Sequence, residues 1–351
     1  MDRPGWFQGR VAAADAGRDQ PEIPDGAAAR YLHGGFAGRA GWREPLSAVL
    51  SSPRPLAGET RWQVETLAPP RALGQSPSET PAPWRSVDGE RAYTVQVVSP
   101  LHTDPDTCLP LLYALDGELV LAALHALPAC PVRVVAISHD SDRKSGRAYD
   151  YTPPIAQRGV LHDPRVPEWR AGGADAFLSF IVDTLQPEVA EAFAVDPDCQ
   201  ILYGHSYGGL FVLHALSTRP HAFSAYLAAS PALWWFELQA SRPIQLVETL
   251  AAQSLTHAVD VVVTAGGQEA WHPVAIGADG TPASRSGGVP TLPAARGLAA
   301  LLANVPGVHA RFHDFPQATH HTMLAESARF ALDFAAHAAA SHAPSASPLS
   351  R

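Results

Sequence analysis

The stretch ILYGHSYGGLFVLHAL, Ile201 to Leu216, decides how this chain is read. The apolar run ILY precedes Gly204, and a second run, LFVLHAL, follows Gly209. The first suits a buried strand and the second a helix, so a sharp turn must lie between them. Ser206 sits on that turn. Gly204-His205-Ser206-Tyr207-Gly208 matches G-x-S-x-G, in which a strained strand-to-helix turn carries a serine at its tip. The strain brings together the residues two positions either side of the serine, so glycine is expected at both 204 and 208 to remove a clash. The turn lifts the hydroxyl above the sheet edge, and the helix N-terminus behind it favours developing negative charge. The blander reading is a glycine-rich turn with an inert serine. A strand and a helix in the right places make that the weaker one.

A serine hydroxyl needs a base to take its proton. When such a serine sits on a strand-to-helix elbow, acid and base follow it along the chain. Downstream, FPQATHHTML offers His320 and His321 between the last expected strand and the last expected helix. His320 is the candidate because it lies nearer the strand end. The acid should follow an intervening strand, and VDVVVTAGGQEAWH places Glu269 just past the turn residues Gly266 and Gly267. Asp260 falls at the wrong end of the same strand. A serine–histidine dyad without an acid is the alternative. For the oxyanion, the expected donors are the amide of Tyr207 and that of Glu118 or Gly117, where LLYALDGELV turns after an early strand. YLHGGFAG, Tyr31 to Gly38, resembles another oxyanion motif, but no buried strand precedes it.

Further out, AYTVQVV (Ala92 to Val98), LPLLYAL (Leu109 to Leu115), VRVVAI (Val132 to Ile137), AYLAA (Ala225 to Ala229), VDVVVTA (Val259 to Ala265) and VHARFHDF (Val308 to Phe315) read as strands. Helical spacing marks LVLAALHAL, AARGLAALLANV and TMLAESARFALDFAAHAAA. Ala174 to Phe193 reads as one long helix, or as two broken at Pro187. Alternating strands and helices predict an α/β domain with a mostly parallel sheet. Residues 1 to about 70 show no clear period, and Pro69 to Pro83 is rich in proline and serine. The expected organisation is an N-terminal extension and linker over 1–83, a catalytic domain over 84–340 and a frayed tail over 341–351.

The 351 residues are 46% hydrophobic and 17% charged, with a formal net charge of −9. That acidity argues against nucleic acid as a partner. Three widely spaced cysteines suit a reducing compartment better than a disulfide framework, and no CxxC or HExxH spacing suggests a metal site. No run reaches the roughly 18 apolar residues of a membrane span, and the N-terminus lacks a secretion signal's order, so a cytoplasmic location is expected.

YALDGELV, DYTPP (Asp150 to Pro154), GGADAFLSFI, YGHSYGGLFVLHAL and ASPALWW (Ala229 to Trp235) together resemble the esterase-D-like branch of the α/β-hydrolases. Within it they are most similar to esterases of trilactone catecholate siderophores such as enterobactin and bacillibactin. The resemblance runs from about Trp84 to Ala336. It implies an α/β-hydrolase fold and a serine esterase that needs no cofactor, with Ser206 and His320 at the positions that carry catalysis. Some members work as a dyad, which weakens the assignment of Glu269. It also implies a small-molecule ester substrate, with a ferric siderophore among the candidates. Arg143, Lys144 and Arg147 form a basic cluster before the DYTPP loop, where Arg147 and Tyr151 could meet an anionic ligand. Trp234 and Trp235 could wall its aromatic rings. Competing readings are a carboxylesterase for another ester, an acyltransferase, or a silent hydrolase fold used for binding.

Overall fold

A computed structural model of the chain describes residues 49–56, 61–70, 82–86, 89–140, 142–155, 160–235, 243–269, 275–276, 282–283 and 291–342. Among them eleven strands form one sheet. In chain order these are β1 (Val49–Leu50), β2 (Arg54–Pro55), β3 (Trp62–Ala68), β4 (Trp84–Arg85), β5 (Ala92–Pro100), β6 (Leu109–Leu115) and β7 (Arg133–His139). After a separate hairpin of β8 (Leu161–Asp163) and β9 (Val166–Ala171) come β10 (Val195–His205), β11 (Ala225–Ala229) and β12 (Val259–Gly266). The short pair β13 (Ala275–Ile276) and β14 (Pro282–Ala283) stands apart, and β15 (Val308–Phe315) closes the sheet.

The order β1-β3-β5-β7-β6-β10-β11-β12-β15 divides the sheet in two. From β7 to β15 every neighbouring pair is parallel. From β1 to β7 through β5 every pair is antiparallel. The inner parallel strands β6, β11 and β12 are buried on both faces, which is why they read as apolar runs, whereas β15 at the sheet edge is largely exposed. Their side chains alternate between two cores. Leu111, Tyr113 and Leu115 join Leu202, Tyr226, Val261 and Val263 on one face. Leu112 and Ala114 join Ile201, Tyr203, Leu227 and Val262 on the other.

Helices cover both faces. α1 (Gly117–Leu124) and α8 (Met323–His342) close the second core, α8 through Ala328, Ala331, Leu332 and Ala335 at a spacing of three and four. The first core is closed by α5 (Tyr207–Thr218), α6 (Pro243–Ala251) and α7 (Thr291–Leu302). The composite helix Ala174–Ala192 lies on the same side. Its ends, α3 (Ala174–Ser179) and α4 (Gln186–Ala192), flank a π-helical stretch over Phe180–Leu185. Pro187 therefore bends no second helix away. Gln186 N–H donates to Ile181 O, five residues back, and the widened turn absorbs the proline in the first turn of α4. The remaining helix, α2 (Arg143–Asp150), follows β7.

The expected boundary at residue 83 is corrected. β3 lies upstream of the proline-rich segment, yet it pairs with β5 over Leu67↔Val95 to Trp62↔Pro100, and Pro45–Arg351 form one compact unit. Proline and serine spacing marked a connection between strands of one sheet, not between domains. Pairing across that connection is a long-range event with no local signature. Residues 71–81 of the connection, YLHGGFAG and the last nine residues of the chain lie outside the described residues. Among the described residues no helix is long and apolar enough to cross a membrane.

Candidate active site

The carboxyl ends of β6, β10, β11, β12 and β15 lie side by side, and the chain leaves each through a turn that carries a polar group. This is where open parallel sheets place ligands. Ser206, after β10, has φ 61° and ψ −113°, a conformation rare for a residue with a side chain. It is held there by Ser206 N–H to Ala229 O at 2.9 Å, and by Ala232 N–H and Leu210 N–H, both 3.0 Å from Ser206 O.

The glycines divide differently from the sequence expectation. A Cβ on Gly204 would lie 2.4 Å from Gly208 O, and one on Gly209 would lie 2.8 Å from Ala229 O. A Cβ on Gly208 would meet nothing closer than 3.5 Å, at Leu115. The steric demand therefore falls on 204 and 209. The same geometry sets the β6–α1 turn against the elbow, with Asp116 Oδ2 3.8 Å from the position of that Cβ.

His320 Nε2 lies 3.0 Å from Ser206 Oγ, and His320 Nδ1 lies 3.0 Å from Glu269 Oε2. His321 is exposed, and of the two neighbours it is His320 that the fold brings to Ser206. Two glycines bring Glu269 there. A Cβ on Gly266 would lie 2.3 Å from Ala318 O, and one on Gly267 2.5 Å from Pro316 O. Without them the turn after β12 could not lie against the segment leaving β15. Gly267 N–H to Phe315 O and Gln268 N–H to Ala318 O, both 2.9 Å, zip the two segments together.

The Glu269 side chain is fully buried. Its Oε1 accepts from the Ser230 hydroxyl and from Gly266 N–H at 2.7 Å. Burial pushes its carboxyl up, but the hydrogen bonds from His320, Ser230 and Gly266 outweigh that, and it lies below the usual glutamate range. Sequence reading missed Ser230. Its one local sign is the position directly after a buried strand, where it adopts φ 43°. His205 packs against His320 with ring centroids 4.7 Å apart. Burial drives its imidazole down to about 3, with His320 and Arg147 adding to the shift, so it is neutral beside the base.

Tyr207 opens α5 and Gly117 opens α1, so the amides of Tyr207, Gly117 and Glu118 all fall in first helical turns, whose N–H groups have no acceptor within the helix. The β6–α1 turn is braced. Asp116, at φ 54°, takes both arms of the Arg147 guanidinium, Nε at 2.6 Å and Nη2 at 2.9 Å, while its own N–H donates to Tyr151 Oη at 3.2 Å. Gly117 has no room for a side chain, since a Cβ would lie 2.8 Å from the β7 backbone.

Three expected ligand contacts are thereby corrected. Tyr151 and Trp235 are core residues, because α2 and the Pro231–Trp235 turn fold them inward against apolar neighbours. Arg147 is spent on Asp116. Trp234 alone of the aromatic candidates stays partly exposed, 5.7 Å from the Tyr207 ring. Of the other cluster members, Arg143 Nε lies 3.0 Å from Glu118 Oε1. A cation not foreseen, Arg165, comes from the β8–β9 turn and stacks on both Tyr207, at 4.6 Å, and Trp234, at 4.7 Å.

Comparison with known proteins places the chain in a family. Residues 86–320 match the Esterase family. The ferri-bacillibactin esterase BesA of Bacillus subtilis is 31% identical over 200 residues, 52% of this chain and 68% of that one. The siderophore triacetylfusarinine C esterase of Aspergillus fumigatus is 35% identical over 189 residues, 47% of this chain and 62% of that one. Among solved structures, the siderophore hydrolase EstB from Aspergillus nidulans superposes with a TM-score of 0.56 at 28% identity, covering 76% of this chain and 97% of that one. The fold, the serine on its elbow and the extent of the match lead to one conclusion: the chain belongs to the Esterase family of α/β-hydrolases.

Proposed function

We propose that this protein is a serine esterase that cleaves carboxylic ester bonds through an acyl-enzyme, with a siderophore triester as its substrate class. The observation that carries the reading is the unbroken chain Ser206 Oγ, His320, Glu269, each link 3.0 Å. His320 Nε2 takes the Ser206 proton as Oγ attacks the ester carbonyl. The oxyanion forms against the Tyr207 amide and the amides of the β6–α1 turn. His320 then returns the proton to the departing alkoxide, the ester C–O bond breaks, and the acyl group remains on Ser206. Water repeats the cycle, with His320 as base and then acid, and frees the carboxylic acid. Glu269 holds the Nδ1–H tautomer and stabilises the imidazolium between steps.

The substrate class is supported by the relatives' own activities and by the setting of the serine. Arg165 and the partly exposed Trp234 lie against the ring of Tyr207, the residue next to it, and offer a guanidinium and an indole to a negatively charged, ring-bearing ligand. A cytoplasmic setting belongs to the same reading. All three thiols are free, two of them, Cys130 and Cys199, pushed up to about 11 chiefly by burial and so unreactive.

The test is a hydrolysis panel read by mass spectrometry: ferric and iron-free trilactone siderophores, triacetylfusarinine C and simple aryl esters. Ser206→Ala should abolish turnover of all of them, and a fluorophosphonate should label Ser206 in the wild type. Activity of Ser206→Ala within a few-fold of wild type would overturn the mechanism. Hydrolysis of aryl esters alone would overturn the substrate class and leave the esterase.

A further inference from the structure

The β8–β9 hairpin belongs to neither core sheet nor any helix layer, yet its turn grips the nucleophile elbow. Asp163, the last residue of β8, is fully buried. A bare carboxylate there would be costly without donors. Oδ2 accepts the Tyr207 phenol, and Oδ1 accepts Arg165 N–H at 2.8 Å and faces Arg165 Nε at 3.5 Å. Arg165 in turn lies over the Tyr207 ring. Two residues of one hairpin turn therefore hold a single side chain from above and from its tip. Trp234 and Trp235 pack against the same ring, with centroids 5.7 and 6.3 Å away.

That side chain belongs to the residue directly after Ser206, whose amide is the first oxyanion donor in the reading above. The backbone at Ser206 is strained, and a strained turn persists only where its surroundings over-determine it. An N–H aimed at an oxyanion must stay within a fraction of an ångström of its place, and a phenol pinned at its far end restricts how the backbone at its near end can rotate.

We infer that Asp163 is a positioning residue that fixes the Tyr207 amide for the oxyanion, acting through the Tyr207 hydroxyl. The inference rests on the serine esterase reading. It assigns the hairpin a part in catalysis that its place outside the main sheet does not suggest.

The test uses the full chain with Asp163→Asn, Tyr207→Phe and the double variant. Fluorophosphonate titration counts intact Ser206 sites, so every rate is expressed per competent site and loss of folded protein drops out. Both single variants should lower kcat about tenfold or more with KM within about threefold, since the oxyanion exists only beyond the ground state. Affinity for an aryl boronic acid, which presents a tetrahedral anion to the site, should weaken in proportion to kcat/KM. The double variant should be no worse than the poorer single one, because both changes break the same bond. A kcat per site within twofold of wild type in both single variants, unchanged boronate affinity, or losses that multiply in the double variant would overturn the inference. Absence of fluorophosphonate labelling in the wild type would strike the serine reading instead, so the two failures are distinguishable.

Discussion

Two histidine–carboxylate pairs stand at the carboxyl ends of strands in this one sheet. After β15, His320 lies 3.0 Å from Glu269. At the end of β7, His139 Nε2 lies 2.9 Å from Asp150 Oδ2. By the measure of pair distance the two are equivalent. They differ in what the second ring nitrogen meets. His320 Nε2 faces Ser206 Oγ, and its side chain is 19% exposed. His139 is 4% exposed, boxed in by the Tyr93, Tyr151 and Phe177 rings, and its Nδ1 has no partner among the described residues. Their carboxylates differ as well. Asp150 also takes the Tyr93 hydroxyl at 3.0 Å and Arg91 Nε at 3.3 Å, so it is a hub of structural bonds. The lesson is that the same histidine–carboxylate pairing can serve a reactive site only where the opposite ring nitrogen reaches a hydroxyl and solvent. The other pair fastens α2, and with it Arg147 and the β6–α1 turn.

The sharpest way to break this comparison is to remove each imidazole. His320→Gln should lower kcat/KM by about 10⁴-fold or more, as loss of the base does in serine hydrolases. His139→Gln should keep kcat per titrated serine within a few-fold and lower the midpoint of thermal unfolding. Equal losses of kcat from both variants would refute the distinction.

Next in size are the carboxylates. Glu269→Gln should cost about 10⁴-fold in kcat with little change in stability, because the amide supports the wrong tautomer. Asp150→Asn should do the reverse, costing about 3 kcal/mol of stability by stranding Arg91 and His139 at a buried site. An intact rate in Glu269→Gln would mean that Ser206 and His320 act as a dyad.

A third histidine sharpens the contrast through pH. Among the described residues His205 pairs with no carboxylate, and burial holds it neutral down to about pH 3. In the unfolded chain it takes up a proton near its ordinary value of 6.5. The unfolded state therefore binds more protons below pH 6.5, and stability falls as pH drops from there toward 3. The loss should reach on the order of 2 kcal/mol by pH 5. Thermal melts of wild type and His205→Asn over pH 5 to 7.5 should show the steeper decline in wild type, and parallel slopes would contradict the assignment. The smallest effect belongs to Ser230→Ala, which removes one of the donors to Glu269. About 1 kcal/mol, or fivefold in kcat/KM, is expected, and a kinetic comparison of the purified variant with wild type checks it.

Much of the site was legible because its makers are local. Ser206 is announced by its glycines, and the ends of later strands point to Glu269 and His320, which the fold brings into line with it. Gly117 and Glu118 are expected after β6 by their turn residues, and both fall in the first turn of α1. What could not be read were partnerships across the fold. Arg147 and Tyr151 looked like ligand contacts, because nothing in the sequence reveals that Asp116, 31 residues earlier than Arg147, takes the guanidinium. Ser230 and Asp163 carry no motif, and Trp234 and Trp235 are adjacent in sequence but opposite in environment.

The sequence by itself determined the α/β alternation, the elbow, and the order of the groups that meet there. Apolar periodicity and glycine sterics act over a few residues, and their consequences are written where they act. The tertiary structure alone decided which histidine faces the serine, which charges are spent on one another, and that β3 joins the sheet from beyond the proline-rich segment. These depend on pairings between segments far apart in the chain, where the free energy comes from excluding water between surfaces that meet only after folding.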